Sequence, residues 1–255
     1  MTELLAGRNL TKQYGGVRAV TNVDISLAAG EVLGLVGPNG AGKTTLVDLI
    51  YGTQVANSGT LTLSGQDLSG PPSKRARAGL ARTYQHPLLA SSLTVRENLV
   101  VGTAGVRHAT IWQMVAGFFS GVVRGGNSEG RAEVEALAAE IGLNGLDRPV
   151  KDLSLGEQRL VEVVRALGQK PLVLILDEPF AGADSSGIAS IAEAIRIVKS
   201  RGHAVILIDH NVDLVSEIVD RIILMQQGEV VFDGNPIECL ASPQMKLVYF
   251  GEEHS

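Results

Sequence analysis

The sequence predicts an α/β fold with a parallel sheet and a helical insertion, and three observations predict it. Continuous apolar runs at Leu172 to Leu176, Ala204 to Ile208 and Ile222 to Met225 read as strands buried on both faces. An amphipathic helix carrying Ile188, Ile191, Ile195 and Val198 separates the first two, and such alternation covers a parallel sheet. Between about Thr94 and Gly168 the period changes to the spacing of three and four that marks helices, as in Val134, Leu137, Ala138 and Ile141.

The elements follow in order. Leu4 to Leu10 and Val20 to Leu27 are short β-type runs, with Val23, Ile25 and Leu27 sharing one face of the second, and Glu31 to Gly37 is a third. A glycine-rich stretch over 37–42 leads into a helix from Thr44 to Tyr51. Gly59 to Ser64 is a further strand, closed by Ser64-Gly65. Leu80 to Tyr84 is a strand, and Val95, Leu99, Ile111, Met114, Val115 and Phe118 open the helical middle. No internal repeat, low-complexity tract or long polar linker interrupts the chain, so the helical middle is a subdomain and not a tethered module.

Composition excludes several classes. With 255 residues, 45% hydrophobic and 19% charged, the chain can bury a full core and is neither disordered nor a disulfide scaffold, since Cys239 is its single cysteine. That residue reads as a small buried hydrophobe. The net charge of −5 comes without any extended basic run, so the chain lacks the electrostatic footprint of a nucleic-acid binder. Met-Thr-Glu-Leu-Leu lacks a basic segment followed by a long apolar one, and no apolar run approaches the roughly 20 residues that span a bilayer. The expectation is a cytosolic chain that does not itself cross a membrane. Glycine is in excess at 30 residues, which implies many places where backbone turns tightly or approaches something closely.

One such place is Gly37-Pro38-Asn39-Gly40-Ala41-Gly42-Lys43-Thr44, a full match to the phosphate-loop pattern, set after an apolar strand and before a helix. Glycines let successive backbone N–H groups curl around a β-phosphate, and the helix N-terminus adds positive potential. Lys43 is placed to reach the β- and γ-phosphates, Thr44 to offer a hydroxyl to Mg²⁺, and Thr45 follows within the same helix start. The run from Leu172 to Leu176 ends in Asp177-Glu178-Pro179. Ligands of open α/β sheets bind beyond the carboxyl ends of strands, so both acids should lie near the phosphates. Asp177 fits the Mg²⁺ carboxylate and Glu178 a general base acting on water.

With these motifs in place the chain resembles the ATP-binding subunits of ABC transporters. Leu153-Ser154-Leu155-Gly156-Glu157-Gln158-Arg159 is similar to that family's Leu-Ser-Gly-Gly-Gln signature and precedes a helix from Gln158 to Leu167. A hydroxyl, an uncovered amide and a helix N-terminus can together capture a phosphate, here one bound by a second subunit. On residues alone, Ser154 and Glu157 read as a capping box. Leu155 and Glu157 depart from the family pattern, while Ser154 and Gly156 keep it.

The resemblance implies further roles. Gln85 matches the glutamine that touches Mg²⁺ and the attacking water, His210 the switch histidine at the γ-phosphate, Tyr14 the aromatic that stacks on adenine, and Asp184 the loop that crosses between subunits. On residues alone these are a polar strand-end residue, a structural histidine, a tyrosine in turn chemistry with Gly15-Gly16, and a loop aspartate. The implied fold is a RecA-like phosphate-loop core with an N-terminal antiparallel β-subdomain, about 4–86 and 160–251, and an inserted helical subdomain, about 87–159. The implied activity is ATP hydrolysis with Mg²⁺ in a head-to-tail pair of ATPase subunits at the cytoplasmic face of the membrane. The implied partners are a second ATPase subunit, two integral-membrane permease subunits and an extracytoplasmic solute-binding protein.

Within the family, Arg82-Thr83-Tyr84-Gln85, Leu93 to Leu99 and the long segment 103–128 resemble the ATPases of branched-chain amino-acid type importers. Related ATPases serve lipopolysaccharide export, and cluster-assembly ATPases are of similar length. Repair and translation members carry a coiled coil or two ATPase domains, which do not fit in 255 residues. The apolar stretch 111–123 holds Trp112, Phe118 and Phe119 and is too short to span a bilayer. It reads either as an insertion packed on the helical subdomain or as a surface lying on the permease or the headgroups.

Overall fold

The computed structural model describes residues 3–85, 87–104 and 128–250. Most of segment 103–128, with the apolar stretch 111–123, lies outside the described residues. In chain order the strands are β1 Glu3–Tyr14, β2 Val17–Ala28, β3 Val32–Val36, β4 Ser58–Leu63, β5 Gln66–Asp67, β6 Leu80–Arg82, β7 Val173–Asp177, β8 Ala204–Ile208, β9 Arg221–Gln226 and β10 Glu229–Gly234. The helices are α1 Lys43–Tyr51, α2 Pro72–Ala78, α3 Val95–Ala104, α4 Ser128–Glu140, α5 Leu155–Leu167, α6 Ser185–Ser200, α7 Val212–Ser216, α8 Pro236–Ala241 and α9 Pro243–Phe250.

Two compact units share these elements. The first combines the chain up to Arg82 with Leu172–Pro179 and the chain from Ile195 onward. Its six-stranded sheet has the order β10-β9-β3-β8-β7-β6. All neighbours pair in parallel except the β9–β10 hairpin. Every residue of β3, β7 and β8 is buried, which is why these strands read as unbroken apolar runs. The opening residues form a separate antiparallel sheet, order β2-β1-β4-β5, with alternate residues such as Val23, Ile25 and Leu27 turned into the core. One hydrophobic core joins that face to β3 and β8 and to Leu46, Leu49 and Ile50 of α1.

The C-terminal end of α1 is held by Arg75 of α2. Its Nη1 donates to the carbonyls of Leu49 and Ile50, and its Nε to Gly70 O at 3.0 Å. Cys239 is fully buried in α8, and burial pushes its thiol up to about 11, as suits a packing residue and not a nucleophile.

The second unit lies within Thr83–Pro171 and Phe180–Ala194. Val95 and Leu99 of α3, Val134, Leu137 and Ala138 of α4 and Val161 and Val164 of α5 are buried, as their spacing predicts. Thr94 pairs with Pro149 in an isolated antiparallel bridge, so α3 starts from a fixed point.

The structure corrects several element boundaries. α5 begins at Leu155, not at Gln158, because Ser154 caps it. β6 ends at Arg82, not at Tyr84. α2, β5, β10, α7, α8 and α9 lack a strong apolar period and do not follow from pattern alone.

Candidate functional site

In the first unit the parallel sheet brings the carboxyl ends of β3, β6, β7 and β8 to one edge, the place where α/β sheets bind ligands. β3 runs straight into the glycine loop, and α1 starts at Lys43. A Cβ on Gly37 would stand 2.3 Å from Met225 O, and one on Gly42 2.3 Å from Ala19 O, so neither position admits a side chain. Gly42 caps α1 in the left-handed conformation with no side-chain cap, and the first intrahelical bond is Leu46 N to Gly42 O. The amides of Lys43, Thr44 and Thr45 therefore precede that ladder, as an anion site requires. Ala41 is buried at the turn, its N–H donating to Pro38 O, while Asn39 and Gly40 are exposed.

Lys43 is 9% exposed, and its ammonium donates to Gly37 O at 2.5 Å and Pro38 O at 3.0 Å. Burial lowers its pKa, against the charges of Glu178, Asp209 and Asp177, which raise it. The ammonium is thus held inside its own loop.

Asp177 closes β7 and is buried. Its Oδ2 accepts from Arg82 Nη2 at 2.6 Å. Glu178 follows in the left-handed region at φ 48°, its N–H bonded to Ile208 O on the neighbouring strand at 2.8 Å. Asp209, 1% exposed, folds its Oδ1 over the amides of His210 and Asn211, and its Oδ2 is buried with no partner among the described residues. His210 presents its imidazole outward, with Nδ1 3.5 Å from Asp209 Oδ1. Tyr14, at the β1–β2 turn, is 44% exposed with Lys12 Nζ 5.0 Å from its ring centre. A hydroxyl at the start of α1 and a buried carboxylate are hard oxygen donors of the kind Mg²⁺ takes, so Thr44 and Asp177 fit a divalent cation.

The other predicted residues belong to the second unit. Ser154 caps α5 and forms a complete capping box: its Oγ accepts from Glu157 N at 3.2 Å, and Glu157 Oε2 accepts from Ser154 N at 2.7 Å. Arg148 Nη1 adds a 2.6 Å ion pair to Glu157. Burial would raise the Glu157 pKa, but the bonds from Ser154 and Arg148 outweigh it and hold the carboxyl below its ordinary value. Both departures from the family signature thus have local causes. Leu155 fills the space over Gly182, and Glu157 closes the box. Gly156 meets Gly187 of α6 so closely that a Cβ would stand 2.8 Å from Gly187 Cα. Asp184 caps α6, its Oδ1 accepting from Gly187 N at 2.8 Å.

Gln85 is exposed, and three side chains of α5 hold its segment. Arg159 donates to the carbonyls of Tyr84 and Gln85, Glu162 accepts from Leu88 N at 2.9 Å, and Arg165 donates to Leu88 O at 2.6 Å. Arg159 and Glu162 are almost wholly buried, and burial raises the Glu162 pKa against its arginine and amide partners. Sequence reasoning missed this grip and missed Arg82. Their signal was a charged residue within an otherwise apolar strand or helix face.

The residues 20–181 match the model of the ABC transporter family. The chain is 35% identical to the high-affinity branched-chain amino acid transport ATP-binding protein LivG of Salmonella typhimurium over 98% of both chains. It is 33% identical to the lipopolysaccharide export system ATP-binding protein LptB of Acidithiobacillus ferridurans over 99% of both. Among solved structures, the ADP conformation of MJ1267, an ATP-binding cassette of an ABC transporter, aligns with a TM-score of 0.86 and 28% identity over 99% of this chain and 100% of that one.

Proposed function

Because this chain belongs to the ABC transporter family, as an ATP-binding and ATP-hydrolysing subunit, we propose that it powers import of branched-chain amino acids or related small polar solutes. Full-length likeness to LivG is the observation that carries the solute. In this reading the chain works at the cytoplasmic face of the membrane with a second ATPase subunit, two permeases and an extracytoplasmic solute-binding protein.

The residues divide the work. The glycine-loop amides and the Lys43 ammonium bind the phosphates, and Tyr14 stacks on the adenine. Thr44 and Asp177 would hold Mg²⁺, which when bound would offset charge developing on the phosphoryl oxygens, and the family resemblance assigns Gln85 to the same ion. Glu178 accepts the proton of the attacking water, and His210 keeps that water and Glu178 in register. Ser154 and Gly156, at the N-terminus of α5, serve the phosphate of a nucleotide held by the second subunit, with Glu157 and Asp184 fixing the two helix starts.

The test is uptake of labelled leucine by the source cell with and without this chain. Loss of uptake, restored by the wild-type chain and not by Glu178→Gln, is expected. Unchanged uptake of leucine and other small polar solutes would overturn the import reading. The likeness to LptB names the rival, which predicts depleted lipopolysaccharide at the cell surface instead.

A further inference from the structure

Arg82 is a fixed cation placed on the carboxylate assigned to the metal. It ends β6, and its side chain is only 4% exposed. Nη2 donates to Asp177 Oδ2 and Nη1 to Asp48 Oδ1, each at 2.6 Å, and the guanidinium carbon lies 6.0 Å from the centre of the Tyr51 ring. Asp48 and Tyr51 both belong to α1, and Thr53 Oγ1 donates to the same Asp48 Oδ1 at 2.7 Å. One planar fork therefore joins the helix that the phosphate loop opens to the end of β7. A lysine, with a single nitrogen, cannot span two carboxylates in that way.

We propose that Arg82 determines which divalent cation the site accepts: its guanidinium, hydrogen-bonded to Oδ2 of Asp177, disfavours approach of a metal to both oxygens of that carboxylate at once. The inference rests on the reading of Asp177 as the metal carboxylate. Mg²⁺ demands near-octahedral geometry, keeps several waters and meets a carboxylate through one oxygen. Ca²⁺ takes six to eight oxygens and readily uses both oxygens of one carboxylate. A carboxylate with Oδ2 committed favours the smaller ion. Charge alone does not discriminate, because a guanidinium repels two ions of equal charge about equally. The ratio of the two affinities therefore isolates geometry from charge.

The experiment titrates Mg²⁺ or Ca²⁺ into the full chain with a fluorescent ATP analogue and reads nucleotide binding, not turnover. In Arg82→Met the half-saturating Ca²⁺ concentration relative to that of Mg²⁺ should fall by about fivefold or more. Arg82→Lys should fall between this variant and the wild type, and carries the test if Arg82→Met does not fold. Asp48→Asn, which leaves Arg82 on Asp177, should keep the wild-type ratio. Cation-dependent binding with an unchanged ratio in the Arg82 variants would overturn the inference while leaving the role of Asp177 intact. Binding indifferent to cations in the wild type would overturn that role, and the inference with it.

Discussion

Glu178 sits where a side chain is costly. Its φ of 48° is left-handed, a conformation that costs a non-glycine residue roughly 1–2 kcal/mol. The bond from its N–H to Ile208 O fixes the turn, and the strain persists because the sheet over-determines it. Two substitutions separate chemistry from strain. Glu178→Gln should bind nucleotide as the wild type does and lose about 10²–10⁴-fold in phosphate release, the usual contribution of a general base. Glu178→Gly should be equally inactive yet melt higher, by up to about 1 kcal/mol in stability, since glycine takes this conformation freely. A lower melting midpoint would mean that the backbone is not strained. At this scale the sequence was informative wherever a motif names its own chemistry, as in the glycine loop and Asp177-Glu178. Arg82 was illegible because its meaning depends on β6 pairing with β7, which brings it level with Ile175 and within reach of Asp177. Sheet order is a tertiary fact.

Among the elements, α5 carries the most polar work. Its first turn is closed by the capping box, and its polar stripe of buried Arg159 and Glu162 and half-buried Arg165 grips the backbone at Tyr84, Gln85 and Leu88. Ser154→Ala should cost about 1 kcal/mol, the usual worth of an N-cap. The contribution of Glu157 has a defined pH sign. Its folded pKa is depressed below the ordinary 4.5, so its stabilisation is present above that value and is lost as pH falls through the folded pKa. Denaturant midpoints of the wild type and Glu157→Gln should therefore converge as the pH is lowered below 4.5; a gap that stays constant would exclude the ionised box as the source of stability. The residue pattern Ser-x-x-Glu announced this cap, but the apolar period placed the helix start three residues late. Leu155 and Gly156 look out of phase until their contacts with Gly182 and Gly187 are seen.

For the whole molecule, each unit carries its own share of the candidate site residues. The phosphate loop, Asp177, Glu178 and His210 belong to the first, and Gln85, Ser154, Gly156 and Asp184 to the second. If a second copy or a related subunit completes each site, Glu178→Gln with Mg²⁺ and ATP should elute at twice the mass of the chain, or bind such a partner. Ser154→Arg added to Glu178→Gln should leave a monomer under the same conditions that still binds ATP. Persistence of the dimer in that double variant would remove α5 from the interface. The buried parallel strands and the helical middle were legible because their periods differ. The hairpin of β9 and β10 and the short helices after it were not, since their apolar residues are few and their partners distant in sequence.

Helix α1 is a short dipole with a different terminator at each end. Arg75 places a full positive charge at its negative end, while the first turn at the positive end holds no acidic residue. A nucleotide bound at the glycine loop would supply the anion, so binding should be felt as amide protection at one end only. Exchange at Leu49 and Ile50 should be slow with or without ATP, and exchange at Thr44 and Thr45 should slow on binding. Uniform slowing along α1 would instead show the helix stiffening as a whole.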